Sequence, residues 1–343
     1  MANANLVTGI QMLHKDYAEI RRRYLKLGIT PGPLMKRRLK TILDSAKLIP
    51  SVLPSLPSAI FPYTFGPPKD IEMIDFQHST GKTFFKNEKG EPLAARLYKP
   101  AGKGKWPILA FDAGLRTGVI GIFELRPVAE IVARWGYVVY GTTSSLEVAH
   151  QEVDDYFAGI EHIRKNFDFV TDEVIATGLS SGGALSLGMA ADEKAMKYGV
   201  RKVVAMSTYA DLTEMYYYMC DYIKTHDPND HRTKVLIDYK NYSEEVFKTP
   251  ETAPDIYEAA SPKNFIKNIT VPILLLHGIR DSVVPVEQSE KLYKVAKQLG
   301  KDVKLRLLPG QTVHADLKEM LEIQEFIGMD SNIMDIYRFL KAK

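Results

Sequence analysis

Cysteine is almost missing from this 343-residue sequence, where Cys220 stands alone. A single thiol excludes an intramolecular disulfide and a thiolate-rich metal site, and it suits a reducing cytoplasm. A dominant charge is missing as well: 45 Lys and Arg face 42 Asp and Glu, for a formal charge of +3. Without a broad positive field, a nucleic-acid partner is not expected. Long apolar runs are also absent. The start, "MANANLVTGIQMLHKDYAEIRRRYLKLG", has no early basic cluster leading into an uninterrupted apolar core, so export is not expected. The most apolar early stretch, "LIPSVLPSLPSAIFPYTF", is broken by Pro50, Pro54, Pro57 and Pro62 and cannot form a regular membrane-spanning helix. It reads as an extended arm, buried or hugging the surface.

What is present is ordinary for a soluble protein with a large core: 45% hydrophobic and 25% charged residues. Residues 1–69 read as a helical extension followed by the Pro-rich arm. Leu6, Ile10, Leu13, Tyr17, Ile20, Tyr24 and Leu27 recur at steps of four and three, the stripe of an amphipathic helix, and a second helix is expected after Pro33. Arg21, Arg22, Arg23, Lys36, Arg37, Arg38 and Lys40 crowd this region. A solvated face on helices docked to the main body is the preferred reading over a membrane-surface element.

Residues 70–343 carry the rhythm of an α/β domain. "IEMIDFQ" and "PLAARLYKP" suggest an edge hairpin joined through "NEKGE". Further strands are expected at "WPILAFDAG", "GYVVYGTTSS", "EVIATGLSS", "VRKVVAMST", "VPILLLHG" and "DVKLRLLPG", with helices at "IFELRPVAEIVARW" and "EVDDYFAGIEHIRKNF". The near-continuous apolar character of the later strands indicates burial on both faces, as in a parallel sheet. An insertion at about 209–265 is longer than a simple crossover needs and reads as a helical cap. Its Tyr216 and Met219 are candidates for lining an apolar pocket, although packing between helices accounts for most of its aromatic residues by count.

"VIATGLSSGGALSLGMA" passes from an apolar strand through small residues into a helix. It lacks the glycine interval and the lysine of phosphate-binding loops, but Gly178-Leu179-Ser180-Ser181-Gly182 matches G-x-S-x-G, the sharp elbow that lifts a nucleophilic serine. A serine hydroxyl needs a base within reach and an acid to orient that base. Asp281 follows one apolar strand and His314 the next, in the chain order Ser, Asp, His. Each residue alone is weak, since loop aspartates cap helices and lone histidines are usually structural. The conjunction, each behind its own strand, is strong. Asp211 competes for the role of acid and ranks behind Asp281, while His277 reads as structural.

The elements "GLSSGG", "SPKNFIKNITVPILLLHGIRDSVVP" and "LLPGQTVHAD" resemble those of the α/β-hydrolase superfamily, especially its dienelactone-hydrolase-like and prolyl-oligopeptidase-like esterase and peptidase branch. The resemblance covers roughly residues 70–343 and leaves the N-terminal segment unexplained. It implies an α/β-hydrolase fold with Ser180 as nucleophile, His314 as general base and then acid, and Asp281 as the orienting carboxylate. Oxyanion donors would be the backbone N–H of Ser181 and that of Leu115, or Gly114 if the alignment slips by one. Here "AFDAGLRTG" departs from the His-Gly common in this superfamily. Asp112 therefore sits where a carboxylate would oppose a developing oxyanion, unless it points away to cap the following turn.

The function so implied is hydrolysis of a small-molecule carboxylic ester through an acyl-enzyme, with no metal or organic cofactor. Acyl transfer, peptide or amide hydrolysis and carbon–carbon bond hydrolysis would use the same triad. The peptidase reading is lowered because no propeller-sized N-terminal region is seen. A silent binding protein of this fold is disfavoured because the triad reads as complete. The N-terminal helix could pack in cis, cover the pocket or join a second subunit in a homo-oligomer.

Overall fold

The computed structural model describes residues 2–31, 44, 46–55, 67–76, 85–114, 126–143, 149–311, 314 and 323–342. Strands β1 (Ile71–Phe76), β4 (Ala95–Pro100), β5 (Trp106–Asp112), β6 (Val138–Thr142), β7 (Val170–Leu179), β8 (Val200–Met206), β9 (Ile273–Gly278) and β10 (Val303–Leu308) form one sheet in the order β1-β4-β6-β5-β7-β8-β9-β10. β1 and β4 pair antiparallel, as do β4 and β6, and every later pairing is parallel. The edge hairpin is therefore present, but "NEKGE" turns a separate small ribbon, β2 (Phe85–Lys86) with β3 (Pro92–Leu93). Its Asn87 side chain accepts from the amides of Lys89 and Glu91, which closes that turn locally and leaves β1 to reach β4 by a longer path.

Alternation along the strands divides the core between two faces. Val203 and Ala205 of β8, with Ile273 and Leu275 of β9, face one side, and Val204, Met206, Leu274 and Leu276 face the other. The first side is covered by α4 (Ala149–Asn166), α5 (Ser181–Ala191) and α10 (Val286–Gln298), together with Ile20 and Tyr24 of α1 (Ala2–Lys26). The second is covered by α3 (Arg126–Arg134) and α11 (Ile323–Lys341), with Leu48 of the arm.

The arm departs from the extended expectation. Residues 46–55 make short helical turns, including α2 (Ile49–Val52), with Pro50 in the first turn, where a missing N–H costs no intrahelical bond. The helix expected after Pro33 falls outside the described residues, as do Pro57 and Pro62.

Between β8 and β9 the insertion forms α6 (Leu212–Thr225), α7 (His231–Phe247), α8 (Pro254–Ala259) and α9 (Pro262–Phe265). Register brings the carboxyl ends of the central strands level: Asp112 lies beside Gly178, Leu179 beside Met206, and Leu308 beside Gly278. After β5 the chain steps to β6 on one side and then to β7 on the other, which opens a crevice between the ends of β5 and β7 where ligands bind such sheets.

Candidate active site

Ser180 stands between the end of β7 and the start of α5 with φ 56° and ψ −125°. A non-glycine residue there is strained by about 1–3 kcal/mol and persists only where its surroundings enforce it. Two backbone bonds do so: Ser180 N–H donates to the Met206 carbonyl at 2.8 Å, and Gly183 N–H donates to the Ser180 carbonyl at 3.0 Å. The flanking glycines answer to close approach. A Cβ at Gly178 would strike the Gly182 carbonyl, and one at Gly182 would strike both the carboxylate and the backbone of Asp112. The spacing G-x-S-x-G thus lets the helix begin hard against the sheet. Ser181 opens α5, and its N–H belongs to the first turn, whose donors have no intrahelical acceptor.

The loop after β9 places Asp281 with its side chain fully enclosed. Its Oδ1 accepts from the amides of Val283 (3.0 Å) and Val284 (2.9 Å), and its Oδ2 accepts from His314 Nδ1 at 2.7 Å. Burial pushes the carboxyl up, but attraction to His314 and the hydrogen bond from it, with help from His277 and the Val284 amide, leave it below the ordinary carboxylate range. Because a carboxylate only accepts, Nδ1 of His314 carries a proton, and the tautomer so fixed leaves Nε2 as the nitrogen that can accept one. That Nε2 is buried and has no hydrogen-bond partner among the described residues. The bond from Ser180 to His314 is therefore not formed here, and such catalytic bonds commonly tighten only when substrate is bound.

His277, one turn of chain before Asp281, plays a different part. Its Nε2–H donates to the Val284 carbonyl (2.9 Å), so its Nδ1 accepts from Ser289 Oγ (2.7 Å). Burial depresses its pKa and keeps it neutral. It braces the acid loop from below.

Asp112 is turned into the protein, as the capping expectation requires. Its Oδ1 accepts from Gly114 N–H at 2.7 Å, and its Oδ2 lies 2.8 Å from the phenol oxygen of Tyr156, which in turn lies 3.0 Å from the Phe111 carbonyl. Burial raises the carboxyl above its usual range, and burial likewise holds the Tyr156 phenol protonated. The Tyr156 hydroxyl donates toward both the Asp112 carboxyl and the Phe111 carbonyl, and the bonds from Gly114 and Tyr156 oppose the rise that burial causes in Asp112. Gly114 N–H is committed to Asp112, which favours Leu115 over Gly114 as the second oxyanion donor, and Leu115 itself lies outside the described residues.

Asp211 has other partners: it caps α6 by accepting from Glu214 N–H and pairs with Lys263 and Lys291. Burial raises its carboxyl, and these partners more than offset that. Tyr216 and Met219 are both buried in an apolar cluster that includes Leu212, Leu236, Val283 and Val284. They pack the cap onto the acid loop, and Tyr216 donates to Glu244 at 2.6 Å. Among the described residues no cluster of three or more His, Cys, Asp or Glu could hold a metal ion, and no helix is long and apolar enough to cross a membrane.

Sequence reasoning passed over Tyr156, Gln311 and Asp16. Gln311 accepts from Ser282 N–H at 3.2 Å and so joins the histidine loop to the acid loop. Tyr156 and Gln311 carry no local signal. Asp16 does, since it sits one helical turn before Ile20 on the apolar face, where a carboxylate needs a partner.

The family model for the prolyl oligopeptidase family matches residues 140–325. The uncharacterized peptidase YtmA of Bacillus subtilis is 22% identical over 236 residues, which cover 66% of this chain and 83% of that protein. Among solved structures, the acylaminoacyl peptidase of Pyrococcus horikoshii has a TM-score of 0.60 at 19% identity, covering 79% of this chain and 41% of that one. The Pyrococcus furiosus esterase Pf2001 has a TM-score of 0.57 at 17% identity, covering 80% of this chain and 94% of the esterase. At these identities the solved structures speak for the fold alone. With a match spanning more than half the chain, an elbow serine at the end of β7 in a mostly parallel sheet and an Asp–His pair behind its last two strands, this protein belongs to the prolyl oligopeptidase family of α/β-hydrolase serine hydrolases.

Proposed function

We propose that the protein hydrolyses a carboxylic ester through an acyl-enzyme formed on Ser180. The observation that carries this reading is the His314 ring, held through Nδ1 by Asp281 with its Nε2 buried and without a hydrogen-bond partner among the described residues. In the acylation step His314 Nε2 takes the Ser180 proton as Oγ attacks the ester carbonyl, and the oxyanion is held by the N–H groups of Ser181 and Leu115. The carbonyl re-forms, the ester C–O bond breaks, and His314 returns the proton to the departing alcohol. Water then repeats the sequence on the acyl-enzyme, releasing the acid and free Ser180. The strained elbow at the end of β7 and the hydrogen-bonded acid loop after β9 hold the nucleophile and the Asp281–His314 pair at the same end of the sheet, and substrate binding completes the Ser180–His314 bond.

A peptidase is the reading to set against this one, since the similar proteins include an uncharacterized peptidase, YtmA, as well as an esterase, Pf2001. A small-molecule ester as substrate, a cytoplasmic setting consistent with one cysteine, and no metal or organic cofactor complete the proposal. Turnover of p-nitrophenyl esters of increasing acyl length, set beside an aminoacyl-p-nitroanilide panel, tests it. Ester turnover abolished in Ser180→Ala supports the reading. Preferential cleavage of the anilides would assign a peptidase instead.

A further inference from the structure

The N-terminal helix is the part of the chain that ester hydrolysis does not explain, and its contacts are specific. Tyr24 accepts from Leu307 N–H at 2.8 Å, on the open side of β10, the last strand of the sheet. Arg23 pairs with Glu287 at 2.9 Å and with Glu290 at 3.0 Å on α10. Ile20 and Tyr24 are buried in the core beneath. These contacts are enough to dock a helix and to cover a sheet edge.

Asp16 does something else. It is 2% exposed, and its two oxygens go to two different loops: Oδ1 accepts from Arg280 Nε at 2.6 Å, and Oδ2 accepts from Gly310 N–H at 3.0 Å. Arg280 immediately precedes Asp281. Gly310, with φ +75°, turns the chain out of β10 toward His314. Arg280 N–H donates to the Gly310 carbonyl at 3.0 Å, and a Cβ at Gly278 would meet that same carbonyl, so the two loops already touch through their backbones. The Asp16 carboxylate closes the ring Asp16–Arg280–Gly310. Docking alone would be served as well by an apolar side chain, because a buried ion pair gains little over well-packed hydrophobic residues. What the carboxylate adds is direction, since it fixes one loop relative to the other.

We infer that Asp16 is a positioning residue of the active site, clamping the loop that carries Asp281 to the loop that carries His314. The inference rests on the triad reading above. A displacement of about 1 Å between catalytic groups costs as much as 10²-fold in rate, so the clamp acts on turnover and not on substrate binding.

The test uses the full chain. Asp16→Asn keeps an oxygen for Gly310 but turns an NH₂ group toward Arg280, and Arg280→Gln removes the same ion pair from its half-exposed side should the first variant not fold. Arg23→Gln is the comparison, because it loosens the helix on α10 without touching either loop. Expected in Asp16→Asn and Arg280→Gln is a kcat lower by about 10- to 100-fold, with KM near that of the parent. The double variant falls no further than the worse single one. Arg23→Gln keeps the parental kcat even if its Tm falls. Parental kcat in both loop variants overturns the clamp, and so does a kcat loss in all three that simply follows Tm. Ser180→Ala measured alongside separates the failures: if it stays active the triad reading has failed, and if it is dead only the clamp is in question.

Discussion

Asp281→Asn changes one atom and is expected to trap His314 in the wrong tautomer. Two backbone amides, from Val283 and Val284, point at Oδ1, so the amide oxygen of the new side chain must stay there. Its NH₂ group then occupies the Oδ2 position, 2.7 Å from His314 Nδ1. A donor facing Nδ1 requires Nδ1 to be the acceptor, which moves the ring proton to Nε2 and removes the lone pair that would take the Ser180 proton. Flipping the amide restores the histidine but leaves two buried N–H groups facing an NH₂, at about 1–3 kcal/mol each, so the trapped arrangement wins. Loss of kcat of about 10⁴-fold, roughly 5 kcal/mol of barrier, is expected by analogy with the same change in a well-studied triad. The assay is kcat and KM on a p-nitrophenyl ester at neutral pH, with Tm recorded. Because Asp281 is held below the ordinary carboxylate range, its contribution to stability is present above about pH 3.9 and lost as pH falls through its folded value. The variant therefore also melts earlier at neutral pH and must be assayed below its Tm. Asp211→Asn, which only loosens a helix cap and its lysine pairs, is the control and should stay within about tenfold of the parent. A folded Asp281→Asn enzyme with near-parental kcat, or Asp211→Asn as the inactive partner, refutes the reasoning.

Asp112→Asn removes the charge but keeps an oxygen for Gly114, and because the side chain is turned toward Gly114 and Tyr156 neutral-pH turnover should be kept; a drop of the about 10²–10³ that follows loss of an oxyanion donor refutes that placement. Its folded pKa is raised, so parental stability declines as pH rises from about 3.9 toward that folded value, and the Tm advantage of Asp112→Asn should grow across the same window; a constant Tm difference from pH 4 upward contradicts this. Gly182→Ala drives a methyl into Asp112 and should cost at least about 1–3 kcal/mol by overpacking, together with the elbow geometry, read as a lower Tm and lost turnover; a fully active, equally stable variant means the elbow is looser than the structure shows.

Much of this was legible locally. The near-continuously apolar strands, the elbow and the order Ser, Asp, His depend on neighbours in sequence, and β7, β9 and β10 end within a few residues of where the pattern places them. The nucleophile needs a strand–turn–helix with glycines on both sides, and those glycines are visible as letters. What escaped depends on contacts between distant segments. Tyr156 reaches Asp112 across 44 residues, and Asp16 reaches Arg280 across 264, distances at which no periodicity survives. The "NEKGE" turn was assigned to the wrong strand pair because a tight turn shows that a hairpin exists without showing which sheet its strands join. The arm was expected to be extended because proline excludes a long helix, but a first-turn proline permits a short one. Tyr216 and Met219 show the converse, since an aromatic, sulfur-rich helix face looks the same whether it lines a cavity or packs on the acid loop.

Nucleophilicity at Ser180 is tested most directly by labelling the full-length protein with a fluorophosphonate and locating the adduct by peptide mass spectrometry. The expected result is a single stoichiometric adduct on the peptide containing Ser180, absent in Ser180→Ala, slowed by orders of magnitude in His314→Ala, and unaffected in Ser181→Ala. An adduct that persists in Ser180→Ala with ester turnover intact, or one carried by Ser181, would contradict the elbow and the chemistry built on it.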